Sequence, residues 1–102
     1  SFADYEQIAV LLSDDGWPRE TIVDAIVALE SFIIGSALDA LAPADNMAPK
    51  ELAPAYPTFA AAENARAELS DDPARRTFEI GVRALIHGLT AWARRGGDRP
   101  AP

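Results

Sequence analysis

An all-α fold is predicted by three features of this 102-residue chain. The stretch from Thr21 to Leu41 contains no proline, and its apolar residues recur with the helical period. A second run, Phe78, Val82, Leu85, Leu89 and Trp92, repeats at intervals of four and three. No segment carries a strand signal. The prediction is an antiparallel helical domain of four main helices, near residues 2–14, 18–41, 58–69 and 74–95. The two long ones look built to pack on each other and on a second copy.

The first helix, Phe2 to Asp14, places Phe2, Tyr5, Ile8, Ala9, Leu11 and Leu12 on one face. Asp15-Gly16 stops it, because glycine takes the left-handed conformation at little cost. Trp17-Pro18 restarts the chain, proline suiting a first helical position where its missing N–H would be unpaired anyway. In the long helix, residues from Ile22 to Leu41 set at 100° steps cover well over half the circumference with apolar side chains. A surface helix needs an apolar stripe only about 100° wide. The remaining strip is Asp24, Ala28, Ser31, Gly35 and Asp39, so this helix requires cover on more than one side.

Residues 42–57 hold Pro43, Pro49, Pro54 and Pro57, which exclude a regular helix and predict a weakly ordered linker. Thr58 to Leu69 is an alanine-rich helix with Phe59, Ala62 and Leu69 as its apolar points. Asp72 is the expected N-cap of the last helix and Pro73 its first residue. That helix ends at Gly96-Gly97, and residues 96–102 are expected to be a disordered tail. A quarter turn from its apolar seam lie Gly81, Ala84, Gly88 and Ala91. Two helical glycines, each costing about 0.5–1 kcal/mol against alanine, point to close approach of another helix.

Length and composition bound the function. The chain makes one domain, with 49% apolar and 25% charged residues, ordinary for a soluble protein. It has no cysteine, so neither a disulfide framework nor a thiolate metal site is available. Glu30 and Asp39 within the most apolar segment favour a buried helix over a membrane span. No signal peptide is visible, and the chain opens at Ser1 without methionine, as a fragment or processed protein would; a cytoplasmic location is expected. The formal charge of −7 argues against nucleic-acid binding by this segment itself. Residues 1–72 carry 14 acidic and 3 basic side chains, whereas 73–102 carry 2 acidic residues and 6 arginines. Arg94 and Arg95 are read as last-turn cations favoured by the helix dipole.

Little chemistry is on offer. His87 is the only histidine, and no serine lies within a turn of it. Asp14-Asp15 and Asp71-Asp72 sit at helix boundaries, where carboxylates cap. No enzyme, no cofactor and no metal site are expected. Asp39, near a helix end where the dipole disfavours a carboxylate, is a candidate for a polar contact to a ligand or a partner chain.

The order of motifs carries a family likeness. Gly16-Trp17 precedes the long helix with Ser31-Phe32-Ile33-Ile34-Gly35-Ser36-Ala37-Leu38-Asp39; a proline-rich gap, a short helix, Phe78-Glu79-Ile80-Gly81 and Leu85-Ile86-His87-Gly88-Leu89 follow. From about Phe2 to Arg95 the chain resembles the C-terminal regulatory domain of TetR-family transcriptional repressors, especially the tetracycline-repressor-like branch. The resemblance implies a four-helix bundle formed by the long and last helices with their counterparts in a second subunit. Dimer contacts are then expected at Ser31, Ile34, Gly35, Leu38, Gly81, Ala84, Leu85, Gly88 and Trp92. It also implies a small-molecule pocket at Tyr5, Ile8, Val23, Ile26 and Val27, with Phe59 or Ala62 from the partner. A drug-contacting glutamine of the family aligns with Ile8, and an acidic residue near the drug-bound magnesium aligns with Asp39. The magnesium-binding histidine would precede Ser1, so a lipophilic effector is expected in place of a metal–tetracycline complex.

The chain is therefore expected to be the ligand-sensing and dimerisation domain of a TetR-like repressor. Its partners would be a second copy and a small lipophilic effector, with no membrane contact. DNA would be reached only through an N-terminal helix-turn-helix absent from this sequence. The alternative is a purely structural helical homodimerisation module without a ligand. A small helical enzyme is disfavoured for want of residues.

Overall fold

A computed structural model describes residues 1–41 and 53–98. The described residues form four α-helices and no strand: α1 (Phe2–Asp14), α2 (Arg19–Asp39), α3 (Pro57–Ala67) and α4 (Pro73–Arg94). Residues 42–52 of the expected linker and 99–102 of the expected tail lie outside the described residues.

The helix ends follow local chemistry. At the start of α1, the Ser1 hydroxyl donates to the Asp4 carboxylate at 2.9 Å. At its end Gly16 takes φ +89°, and the Trp17 N–H reaches back to the Leu12 carbonyl at 3.0 Å. Only a residue free of a Cβ adopts that left-handed turn without strain. Pro18 stands one position before α2, with ψ 137°, and its carbonyl accepts both the N–H and the hydroxyl of Thr21. The α4 start is capped by Asp72, whose carboxylate accepts the Arg75 N–H at 3.1 Å, with Pro73 leading the first turn. Gly96 and Gly97, both at positive φ, close the other end.

α2 is the central element, packed against α1 along one side and α4 along another. The Phe32 and Phe78 rings stack between α2 and α4 with centroids 5.6 Å apart, and Phe32 reaches over Gly81. At the far end, Gly97 lies so close to Thr21 that a Cβ on it would meet the threonine methyl at 2.8 Å. α3 is tied to α4 by Arg66, which donates to the Thr77 hydroxyl at 2.8 Å and to Glu63 at 2.8 Å.

This packing buries little. Thr21, Ile22 and Ala25 are buried in the first turns of α2, joined by Ala60 and Ala93. Further along α2 the cover runs out: Ile34 is 54% and Leu38 65% exposed. On α4, Ala84, Gly88 and Ala91 face outward beside the half-buried seam of Phe78, Val82, Leu85, Leu89 and Trp92. The radius of gyration is 18.5 Å, against about 13 Å for a compact domain of this length. α2 is also long and apolar enough to cross a membrane by length and composition, a measure that core helices of soluble proteins meet as well. Within the chain α2 packs on α1 and α4, and most of its apolar length stays outside those contacts.

Candidate functional site

An apolar cavity of about 380 Å³ opens where α1, α2 and α4 meet. α1 contributes Tyr5, Ile8 and Leu12, and Trp17 follows from the turn into α2. α2 supplies Ala25, Ile26, Leu29, Glu30, Ile33 and Ile34. α4 adds Ile86, Leu89 and Thr90. The helical period explains this convergence. Tyr5, Ile8 and Leu12 stand three and four apart on α1, as do Ile26, Leu29 and Ile33 on α2, so each set forms one stripe.

Two polar groups join across the cavity. The Tyr5 hydroxyl donates to Glu30 Oε2 at 2.6 Å, bridging α1 and α2. That bond and the nearby negative charge both favour the neutral phenol, so the Tyr5 hydroxyl titrates above its ordinary value. The Trp17 indole N–H donates to Asp15 at 3.3 Å, leaving the ring to serve as wall. The volume lies within the range of small-molecule sites, which pair a mostly apolar lining with a few fixed polar groups.

Of the residues expected at a ligand pocket, Tyr5, Ile8 and Ile26 line this cavity. Val23 and Val27 are exposed on α2 away from it, and Asp39 is exposed in the last turn of α2. Phe59 and Ala62 are exposed on α3, apart from the cavity of their own chain. Among the residues expected at a dimer contact, Ser31, Ile34, Gly35, Leu38, Ala84 and Gly88 are exposed. Gly81, Leu85 and Trp92 are half-buried within the chain, Gly81 beneath Phe32 and Trp92 donating its indole N–H to Asp98 at 3.0 Å.

Sequence reasoning passed over Leu12, Trp17, Leu29 and Glu30 as site residues. Glu30 had a legible signal: Ile26, Ile33 and Ile34 sit three or four positions away, so the carboxylate lies among apolar neighbours on one face. His87 is exposed on α4 and does not line the cavity. Among the described residues no three His, Cys, Asp or Glu side chains are grouped to hold a metal ion.

A family model described as "Tetracyclin repressor-like, C-terminal domain" matches residues 1–93. The chain belongs to that family. Comparison with curated proteins and with solved structures finds no match. Membership in the tetracycline-repressor-like family makes this a C-terminal domain of a TetR-like transcriptional regulator, a class whose domains typically dimerise and bind small effectors. Such regulator domains are generally non-enzymatic.

Proposed function

We propose that this TetR-like domain senses a small lipophilic effector and holds two copies of the regulator together in the cytoplasm. Residues 1–95 form the domain, and a helix-turn-helix elsewhere in the regulator reads DNA as a repressor would. The carrying observation is the three-helix apolar cavity in a chain of this family. Tyr5, Ile8 and Ile26 contact the effector, with Phe59 or Ala62 supplied by the second subunit's short helix. Asp39 is a further candidate for a polar contact.

The uncovered surface supports the dimer. Ser31, Ile34, Gly35 and Leu38 on α2 and Ala84 and Gly88 on α4 present exposed apolar or small side chains to a second copy. Gly81, Leu85 and Trp92 lie along the inner margin of that surface. A four-helix bundle of two α2–α4 pairs would cover it, as ridges of one helix fill grooves of another. The effector would act by favouring one spacing of the two DNA-reading heads, through its different affinity for the two arrangements.

Titration with a panel of lipophilic compounds tests this reading. Trp17 lines the cavity, whereas Trp92 bonds Asp98 at the opposite end of α4 from Asp72, so a Trp92→Phe variant leaves one reporter at the site. A saturable change in Trp17 emission is expected with at least one compound. Silence across the panel, in a protein that still dimerises, would support the structural homodimerisation module, which the exposed α2 face alone accommodates.

A further inference from the structure

Among the described residues that line the cavity, Glu30 is the one acidic or basic side chain; the other polar groups there are the hydroxyls of Tyr5 and Thr90 and the indole of Trp17. Among the described residues no arginine, lysine or histidine lines it. Glu30 is partly withdrawn from solvent, and no cation lies within ion-pair reach of it among the described residues. Its Oε2 accepts the Tyr5 hydroxyl at 2.6 Å, while Oε1 accepts no hydrogen bond from a described residue. The carboxylate is thus oriented by one partner and left with half of its accepting capacity open.

A carboxylate beside apolar walls attracts a ligand group of opposite charge and repels one of like charge. We infer that the cavity takes a lipophilic cation, an apolar body bearing a protonated amine or quaternary ammonium that lies against Glu30. This rests on the effector-cavity reading above and specifies its ligand class. Three features agree with it. The walls would hold the apolar body, and the rings of Tyr5 and Trp17 offer π faces that attract a cation. The formal charge of −7 raises the local concentration of cations around the protein. An anionic ligand of the same shape would meet Glu30 with like charge.

A matched pair of flat tricycles tests the inference by calorimetric titration at pH 7: 9-aminoacridine, which is protonated there, and acridine, which is neutral. The protein is expected to bind the cation about tenfold more tightly, the size of one hydrogen bond to a charged group. Glu30→Gln, which keeps an acceptor for Tyr5, is expected to remove the preference, bringing the ratio of the two affinities to about one. Glu30→Asp and Tyr5→Phe, which keep the charge, are expected to retain it. Equal affinities in the unaltered protein, or a preference that survives Glu30→Gln, overturns the inference. If neither tricycle binds while the uncharged dye N-phenyl-1-naphthylamine is taken up, the cation assignment fails and the cavity reading stands. If nothing is taken up, both fail.

Discussion

Phe32 occupies the space that a side chain at position 81 would need. Its Cε2 atom stands 2.8 Å from where a Cβ on Gly81 would lie, and Cζ is nearer still. The ring cannot swing aside freely, because it is stacked on Phe78. Gly81 therefore sets how closely α4 approaches α2. Gly81→Ala is expected to lower stability by about 1–2 kcal/mol, overpacking of about 1–3 kcal/mol being offset in part by alanine's better helix propensity. Chemical denaturation checks this, and an unchanged or raised midpoint would show that Phe32 relaxes at no cost.

Gly88 gives the opposite case. A Cβ there would meet nothing within 4 Å in the single chain. On helix propensity alone, Gly88→Ala should stabilise the helix by about 0.5–1 kcal/mol. If a second copy presses against this strip, the same methyl weakens association. The expected outcome is a larger dimer dissociation constant in sedimentation equilibrium, with helicity unchanged or raised. Unchanged association would place the dimer contact elsewhere.

The Tyr5–Glu30 bond makes the α1–α2 contact sensitive to alkali. The folded-state value of Tyr5 lies above the ordinary tyrosine value of about 10, so the bond's contribution is complete below that pH. It is lost as pH rises through the raised folded value, where the phenolate forms beside Glu30. A Tyr5→Phe variant should melt below the unaltered protein at neutral pH, and the gap should close in strong alkali. Tyr56 is the other tyrosine, and a Tyr56→Phe background isolates the Tyr5 phenolate absorbance. Titration of Tyr5 at or below its ordinary value would contradict the bond.

Asp72 caps α4 through the Arg75 N–H. Its replacement by alanine leaves that donor without a protein acceptor and is expected to cost about 1 kcal/mol. For a domain of this size that corresponds to a fall in Tm of roughly 4–8 °C. A change below about 1 °C would mean that water replaces the cap fully.

What the sequence made legible is what one helix decides by itself. Gly16, Asp72-Pro73 and Gly96-Gly97 act through their own backbone conformation and capping chemistry, so helix ends could be read without knowing any neighbour. The surplus of apolar surface on α2 could also be read, and Ile34 and Leu38 remain uncovered in the folded chain. Pairings between helices could not. Helical spacing gives the angle of Gly81 around α4 but not the neighbour it meets, and the neighbour is Phe32 of the same chain. The Tyr5–Glu30 bond spans 25 positions and depends on how α1 crosses α2, which no periodicity encodes. From its position in the sequence alone, Glu30 reads only as a charge disfavouring a membrane span.

Sedimentation equilibrium of the protein at micromolar concentration bears most directly on the claim that a second copy covers the exposed halves of α2 and α4. A mass near twice 10.9 kDa is expected, falling towards the single-chain value when Leu38→Glu places a charge on that face. A mass of 10.9 kDa for the unaltered protein would contradict the account.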